Sequence, residues 1–289
     1  MQHTASTEMI LLRTAAEARG HGDTLRQAGR TIAFVPTMGA LHQGHMALVD
    51  EGRRLCDAVV LSIFVNPTQF NVRADFDAYP RTLDSDLEIA SGHGVDAVYV
   101  PTAEDMYPVG FDTTVHVDRT ASPLEGAGRP GHFDGVATVV TKLFNAVRPD
   151  VAVFGQKDYQ QLAVIRRMAA DLDTGIRIVG LPTVREADGL ALSSRNVRLS
   201  PQERAVAPVI HEALSDARAA LDSGDNLASS LRDVFSRRIE TEPLARLEYV
   251  SIADAGSLQE LEIVDTPAVM SCAVWFGDVR LIDNILLPC

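Results

Sequence analysis

Short apolar runs rich in β-branched residues alternate with helix-patterned stretches over the first 180 residues, and this alternation most limits how the chain can fold. The runs are TIAFVP (31–36), AVVLSIFV (58–65), DAVYVP (96–101), VAVFG (151–155) and IRIVGLP (176–182). Four of them are nearly continuously apolar, the pattern of strands buried on both faces of a parallel sheet. Helical patterns at about 45–56, 82–93, 135–147 and 159–172 separate them. The expected class is α/β, a Rossmann-like doubly wound parallel sheet with ligands at the carboxyl ends of its strands.

The character changes near residue 184. Ser200, Pro201 and Glu203 form an N-cap, a proline at the first helical position and a capping-box acid. They predict one long helix through about Asp222, followed by a second over about 226–240. LEYVSIA, VMSCAVWF and VRLIDNILL read as three strands, the last two joined by a Gly277–Asp278 turn. The chain is therefore expected to divide into a Rossmann-like domain, 1–183, and a smaller α+β domain, 184–289.

Charge narrows the partners. With 26 basic and 39 acidic residues the net charge is −13, and neither part of the chain is net basic. Nucleic-acid and membrane surfaces both demand basic faces, so neither is expected as a partner. No apolar run approaches the length of a membrane span, and the N-terminus lacks the basic and apolar regions of a signal peptide. Cys56, Cys272 and Cys289 are widely spaced, form no zinc pattern, and fit a reducing cytoplasm. Only Lys142 and Lys157 are lysines, a scarcity that reads first as genomic base composition.

The chemistry concentrates after the strands. PTMGALHQGHMALV (36–49) follows the first buried strand, and its glycines and helix start suit a phosphate. His42 and His45 can donate to phosphate oxygens as charge develops. Alone, such a segment is equally a turn with two polar side chains, or a histidine capping a helix. Lys157 and Asp158 follow VAVFG, where an isolated pair reads first as surface charge. LALSSRN (190–196) offers hydroxyls and a guanidinium, or simply a capping turn. Asn66–Pro67 marks a turn that projects Gln69. Asp84 and Asp86 read as an acidic first helical turn, and Asp134 as a helix cap. His3, His21, His93, His116 and His211 show no partner pattern.

PTMGALHQGH resembles the HxGH signature of the nucleotidyltransferase superfamily, in the form carried by the pantoate–β-alanine ligases. IFVNPTQF (63–70), DAYPRTLDSDL (77–87), GRPGHFDGVATVVTKLFNAVRPD (128–150), FGQKDYQQL (154–162) and PTVREADGLALSSRN (182–196) follow in that family's order and spacing. The resemblance runs from about residue 31 to 200, and the tail is similar in layout.

The resemblance implies an AMP-forming ligase that joins pantoate to β-alanine through a pantoyl adenylate. It maps ATP onto Met38, Gly39, Ala40, Leu41, His42, Gln43, Gly44 and His45. The remaining ATP positions are Gly155, Gln156, Lys157, Asp158, Val184, Leu192, Ser193, Ser194 and Arg195. His45, His42 and Lys157 carry the catalytic roles, with His45 as proton donor. Gln69 and Gln161 bind pantoate and β-alanine, and Arg129 and His132 border the β-alanine side. Mg²⁺ is expected through the ATP phosphates, with Asp158 as a possible ligand; no residue is assigned to a dedicated metal site. The family is commonly homodimeric. Gln156 and Leu192 depart from the family's usual glutamate and methionine. Two other readings stand beside this one: a nucleotidylyltransferase acting on a phosphate acceptor, and a non-catalytic ATP-binding module.

Overall fold

The computed structural model describes residues 9–288, so His3 and Cys289 lie outside the described residues. Six strands form one parallel sheet: β1 (Ile10–Leu12), β2 (Ile32–Thr37), β3 (Ala58–Ile63), β4 (Ala97–Tyr99), β5 (Val151–Gly155) and β6 (Arg177–Leu181). Their order is β1-β4-β3-β2-β5-β6. The chain winds outward from β2 through β3 to β4, then returns to place β5 on the other side of β2. The topological switch therefore lies between β2 and β5, where a doubly wound sheet opens a crevice.

Alternation within the central strands explains why they read as unbroken apolar runs. Ile32 and Phe34 of β2, Ala58 and Val60 of β3, and Ala152 and Phe154 of β5 enter one hydrophobic cluster. Ala33 and Val35, Val59 and Leu61, and Val151 and Val153 enter the cluster on the opposite face. Helices Ala15–Gln27, His132–Val147 and Tyr159–Asp171 cover the first face, while Gln43–Leu55 and Leu83–Gly92 cover the second. Each large aliphatic side chain withdrawn from water contributes about 1.5–3 kcal/mol.

Nothing in the sequence pattern marks β1. Ile10 and Leu11 are exposed, and three residues show no usable alternation. Pairing makes the strand: Ile10, Leu11 and Leu12 align with Ala97, Val98 and Tyr99 of β4.

The three-stranded sheet is antiparallel, β7 (Ala245–Asp254), β8 (Ala268–Phe276) and β9 (Val279–Leu287), in that order. Met270, Cys272, Val274 and Phe276 pack one face of β8 onto helices Val209–Asp222 and Ala228–Glu240. Val269, on the other face, meets Tyr159 and Ala163 of the parallel-sheet unit.

Two local expectations need correction. The long helix from 201 is broken into Pro201–Val206 and Val209–Asp222, because Pro208 has no N–H to donate and its ring crowds the carbonyl four residues before it. Asp134 does not cap its helix, which starts at His132 with Gly131 as N-cap; its carboxylate lies 2.8 Å from His116 Nδ1 instead. Lys142, on the same helix, sits 4.8 Å from the Phe111 ring centre as a cation–π pair. No helix among the described residues is long and apolar enough to cross a membrane.

Candidate active site

The carboxyl ends of β2, β3, β5 and β6 converge on one cavity of about 260 Å³. Thr37, Phe64, Gly155 and Leu181 mark these four strand ends on its wall, with the 192–195 segment closing another side. A neighbouring cleft of about 330 Å³ shares Arg129, Lys157, Asp158 and Arg195 with it.

Met38, His42, Gly44 and His45 line the cavity from the loop after β2. His42 is the N-cap of the following helix and accepts the Gly44 amide through Nδ1 at 3.1 Å. The His42 amide in turn donates to His45 Nδ1 at 3.2 Å. Capping and phosphate binding are thus compatible roles for one histidine. Since each Nδ1 is an acceptor, the proton of each neutral ring sits on Nε2. Burial lowers the pKa of His42, and nearby Lys157 adds to the effect. Burial, followed by the charge on His42, pushes His45 down to about 3. Both rings are therefore neutral near pH 7, each with one N–H to donate.

Gly39, Ala40 and Leu41 form the turn behind that wall and do not line the cavity. Gly39 and Ala40 have φ of +82° and +50°, and Asp86 holds the turn. Its carboxylate accepts the Ala40 amide at 3.0 Å and the Leu41 amide at 2.8 Å, while only 2% of the residue is exposed. An acidic first helical turn is therefore an incomplete description of Asp86: the position is buried and grips a loop far away in sequence. Gln43 is exposed at the helix start. Gln156 also lies off the cavity wall, with its carbonyl taken by Asn284.

The loop after β3 is organised by Asn66, for which the sequence alone indicates only a turn. Asn66 is 1% exposed. It donates to Gln69 Oε1 and the Gly135 carbonyl, both at 3.1 Å, and accepts from the Thr68 and Tyr107 hydroxyls. Gln69 is thereby held on the cavity wall, with its amide nitrogen toward Met38 sulfur. Asparagine before proline carries no signal separating an ordinary turn from such a hub.

Lys157 and Asp158 line the cavity from the turn after β5, Nζ standing 4.0 Å from the carboxylate. A Cβ built on Gly155 would meet no protein atom within 4 Å, so the space beside it is open to a ligand. Gln161 reaches the same wall from the next helix. Its neighbour Gln160 is structural, accepting the Glu125 amide and donating to the Thr120 and Pro123 carbonyls.

Val184, Leu192, Ser193, Ser194 and Arg195 complete the wall opposite. The Val184 carbonyl accepts the Leu192 amide at 2.9 Å, closing a short hairpin. Arg129 and His132 also face the cavity. His132 lies 2.7 Å from the Gln69 carbonyl through Nδ1 and 3.2 Å from Arg129 through Nε2. A donating Nδ1 leaves Nε2 to accept from the guanidinium, which fixes the tautomer. Burial, helped by Arg129, pushes the His132 pKa down to about 4. Glu125, out of the cavity, stands behind Arg129 at 3.9 Å and receives a bidentate pair from Arg280 of β9. Burial raises the Glu125 pKa, but hydrogen bonds from Arg280 outweigh it and leave the pKa lowered.

The site combines neutral N–H donors, hydroxyls, two guanidinium groups and one ammonium around a cavity with a single carboxylate, Asp158, on its wall. Such a set stabilises anionic oxygen and suits phosphoryl chemistry.

Comparison with known proteins follows the same line. Residues 10–286 match the family model described as pantoate-beta-alanine ligase. The pantothenate synthetase of Pelotomaculum thermopropionicum is 50% identical over 96% of this chain and 99% of its own length. That of Heliobacterium modesticaldum is 51% identical over the same shares. Among solved structures, pantothenate synthetase from Thermus thermophilus superposes with a TM-score of 0.90 at 44% identity, covering 96% of this chain and 99% of its own. Pantoate-beta-alanine ligase from Francisella tularensis, complexed with beta-gamma ATP and beta-alanine, gives 0.79 at 35% identity over 96% and 97%.

Proposed function

The chain belongs to the pantoate–β-alanine ligase family, and from that premise we infer which of its groups carries each step. Its activity is that of the family, the ATP-dependent joining of pantoate to β-alanine. Membership replaces the two other readings, nucleotidylyl transfer to a phosphate acceptor and passive ATP binding.

In the first step the pantoate carboxylate attacks the α-phosphorus of ATP and pyrophosphate leaves. In the second the neutral β-alanine amine attacks the acyl carbon of pantoyl adenylate, AMP leaves, and the attacking nitrogen loses a proton to give the amide. A carboxylate nucleophile needs no base, so the demand falls on groups that stabilise charge on the phosphoryl oxygens. His45 and His42 donate Nε2–H to these oxygens. Lys157 follows the charge that accumulates on departing pyrophosphate, and Ser193, Ser194 and Arg195 grip the phosphates from the opposite wall. Gln69 and Gln161 hold pantoate through neutral amides, which add no charge that would resist adenylation.

Mg²⁺ fits as an ion shared with the phosphates. Asp158 is half exposed on the cavity wall, and no cluster of three acidic, histidine or cysteine side chains forms a closed cage among the described residues. Magnesium commonly takes one or two carboxylates and substrate phosphates. Bound there, it would neutralise part of the phosphate charge.

We also infer a cytoplasmic homodimer, resting on the free thiols of Cys56 and Cys272 and on family habit. Separate hydrophobic clusters on either side of the junction support a boundary at residues 183–184.

The observation that carries the assignment is the meeting of the His45 loop and the Lys157 turn, from the two strands that flank the switch point, on one cavity. The test is pantoate-dependent exchange of pyrophosphate into ATP, with AMP release followed separately. Exchange is expected with ATP, Mg²⁺ and pantoate alone, and sustained AMP release only after β-alanine is added. No exchange at any pantoate concentration would sink the assignment.

A further inference from the structure

We propose that Asp283 and Asn284, consecutive residues of β9, are a positioning pair that sets the spacing of the two ATP-gripping segments, the Gly155–Asp158 turn and the Val184–Arg195 hairpin. This rests on the assignment of those segments to ATP given above.

Adjacent residues of a strand point to opposite faces, and here each face reaches a different segment. Asn284, 6% exposed, donates both hydrogens of its side-chain amide: to the Gln156 carbonyl at 2.9 Å and to the Lys157 carbonyl at 2.7 Å. Two successive peptide units of the Lys157 turn are thus fixed by one side chain from the antiparallel sheet.

Asp283, 4% exposed, takes the guanidinium of Arg185 bidentately at 2.5 and 2.9 Å. Arg185 also donates to the Gly189 carbonyl at 3.0 Å. It therefore ties the hairpin tip to its stem, and the two flanks of that hairpin present Val184 and Leu192–Arg195 to the cavity. Asp283 Oδ1 accepts the Asn284 amide at 2.8 Å, so the two anchors share one peptide unit.

Packing alone does not call for these residues. Val279, Leu281 and Leu287 occupy alternate positions of β9 in the apolar cluster, and Asp283 interrupts that row. An aliphatic residue there would complete the core, whereas a buried carboxylate must be paired to be tolerated. What Asp283 and Asn284 supply is directed hydrogen bonding to two segments separated from each other in sequence. An error of about 1 Å in such spacing is enough to cost about 10²-fold in rate.

The test uses Asn284→Asp, which is nearly isosteric but sets carboxylate oxygens against two carbonyls, and Asn284→Ala. The steady-state constants of pyrophosphate exchange and the melting temperature are measured on the full chain. Asn284→Asp is expected to lower kcat/KM for ATP by about tenfold or more while KM for pantoate stays within about twofold. Asn284→Ala is expected to lose less. A cavity of about 50 Å³ already borders Asn284, and a water there can take over hydrogen bonds. Unchanged ATP constants in folded Asn284→Asp would overturn the proposal. So would equal losses in all constants in step with the loss of folded protein, the mark of a merely structural role. If Asn284→Asp does not fold, ATP affinity of Asn284→Ala by calorimetry decides, and wild-type affinity counts against the pair. Lys157→Ala is run in parallel: if it too keeps full exchange, the assignment of the Lys157 turn to the ATP phosphates fails. If it loses exchange while Asn284→Asp does not, only the positioning pair fails.

Discussion

The Leu41 amide donates to Asp86 Oδ1 at 2.8 Å while the adjoining Ala40 amide donates to Oδ2 at 3.0 Å, so one carboxylate spans two peptide units of the loop after β2. Ala40 has a positive φ, which costs about 1–2 kcal/mol for a residue with a side chain. Hydrogen bonds to a charged group return about 1.5–3 kcal/mol each, so the carboxylate outweighs the strain. Asp86→Asn keeps one acceptor but turns the other oxygen into a donor facing an N–H. It is expected to lose about 2 kcal/mol of stability and to lower kcat/KM for ATP. Denaturant midpoints and exchange kinetics check both, and a variant matching wild type would show that the loop holds itself.

Lys157→Ala is expected to reduce turnover by roughly 10²–10³, the usual loss for one preorganised electrostatic group. The lysine side chain is 17% exposed and stands on the cavity wall, so its removal opens into the cavity and the fold should survive. Single-turnover rates and circular dichroism on the same sample separate the two. Wild-type turnover would mean that the charge on pyrophosphate is met elsewhere.

Stability should fall with acid over a defined window. His132 and His45, lowered to about 4 and about 3 from 6.5, are neutral in the folded protein. The unfolded chain protonates them below about pH 6.5, so it binds more protons there than the folded form. Above pH 6.5 neither ring contributes a slope. Below it, each removes up to about 1.4 kcal/mol per pH unit until its folded pKa is reached. Urea midpoints at pH 7.5 and 5.5 should differ in wild type, and the difference should shrink in His132→Gln. An unchanged slope in that variant would refute the assignment to His132.

The same neutrality bears on catalysis. If His45 works as a positioned Nε2–H donor, kcat/KM for ATP, which reports the free enzyme, has no falling limb as pH rises through 6.5. A loss of rate across that range, abolished in His45→Gln, would show that an imidazolium is required.

How much was legible in the sequence depended on where each residue's partner lies. The central strands announced themselves because burial on both faces leaves no polar position, and the loops after them were found by following those strands to their ends. β1 stayed hidden because its strand character comes from β4 and two of its three residues, Ile10 and Leu11, are exposed. Asp86, Asn66 and Asn284 escaped for a related reason: each is an unremarkable polar residue locally and acquires its role from a contact across the fold. That Gln69 and Lys157 line the cavity was legible because each sits in a contiguous motif that resembles the family's. Spacing within a segment can be read from a sequence, whereas hydrogen bonds between distant segments leave no periodicity to detect.

Gly135 offers a test of the proposal that Gln69 holds pantoate. A Cβ at this position would lie 2.5 Å from the Thr68 carbonyl oxygen and 2.9 Å from the Gln69 nitrogen, both backbone atoms with little freedom to yield. The helix His132–Val147 thus passes so near the Asn66–Gln69 turn that only glycine fits. Its carbonyl also receives the Asn66 side chain at 3.1 Å. Gly135→Ala must push the turn outward, stretch that bond and displace Gln69. Overpacking of this kind costs about 1–3 kcal/mol, against which alanine's better helix propensity returns about 1 kcal/mol. The expected result is a net loss of stability with KM for pantoate raised several-fold and KM for ATP little changed, because the His45 loop and the Lys157 turn are not touched. Equal effects on both substrates, or none on pantoate, would show that Gln69 does not hold pantoate from this turn.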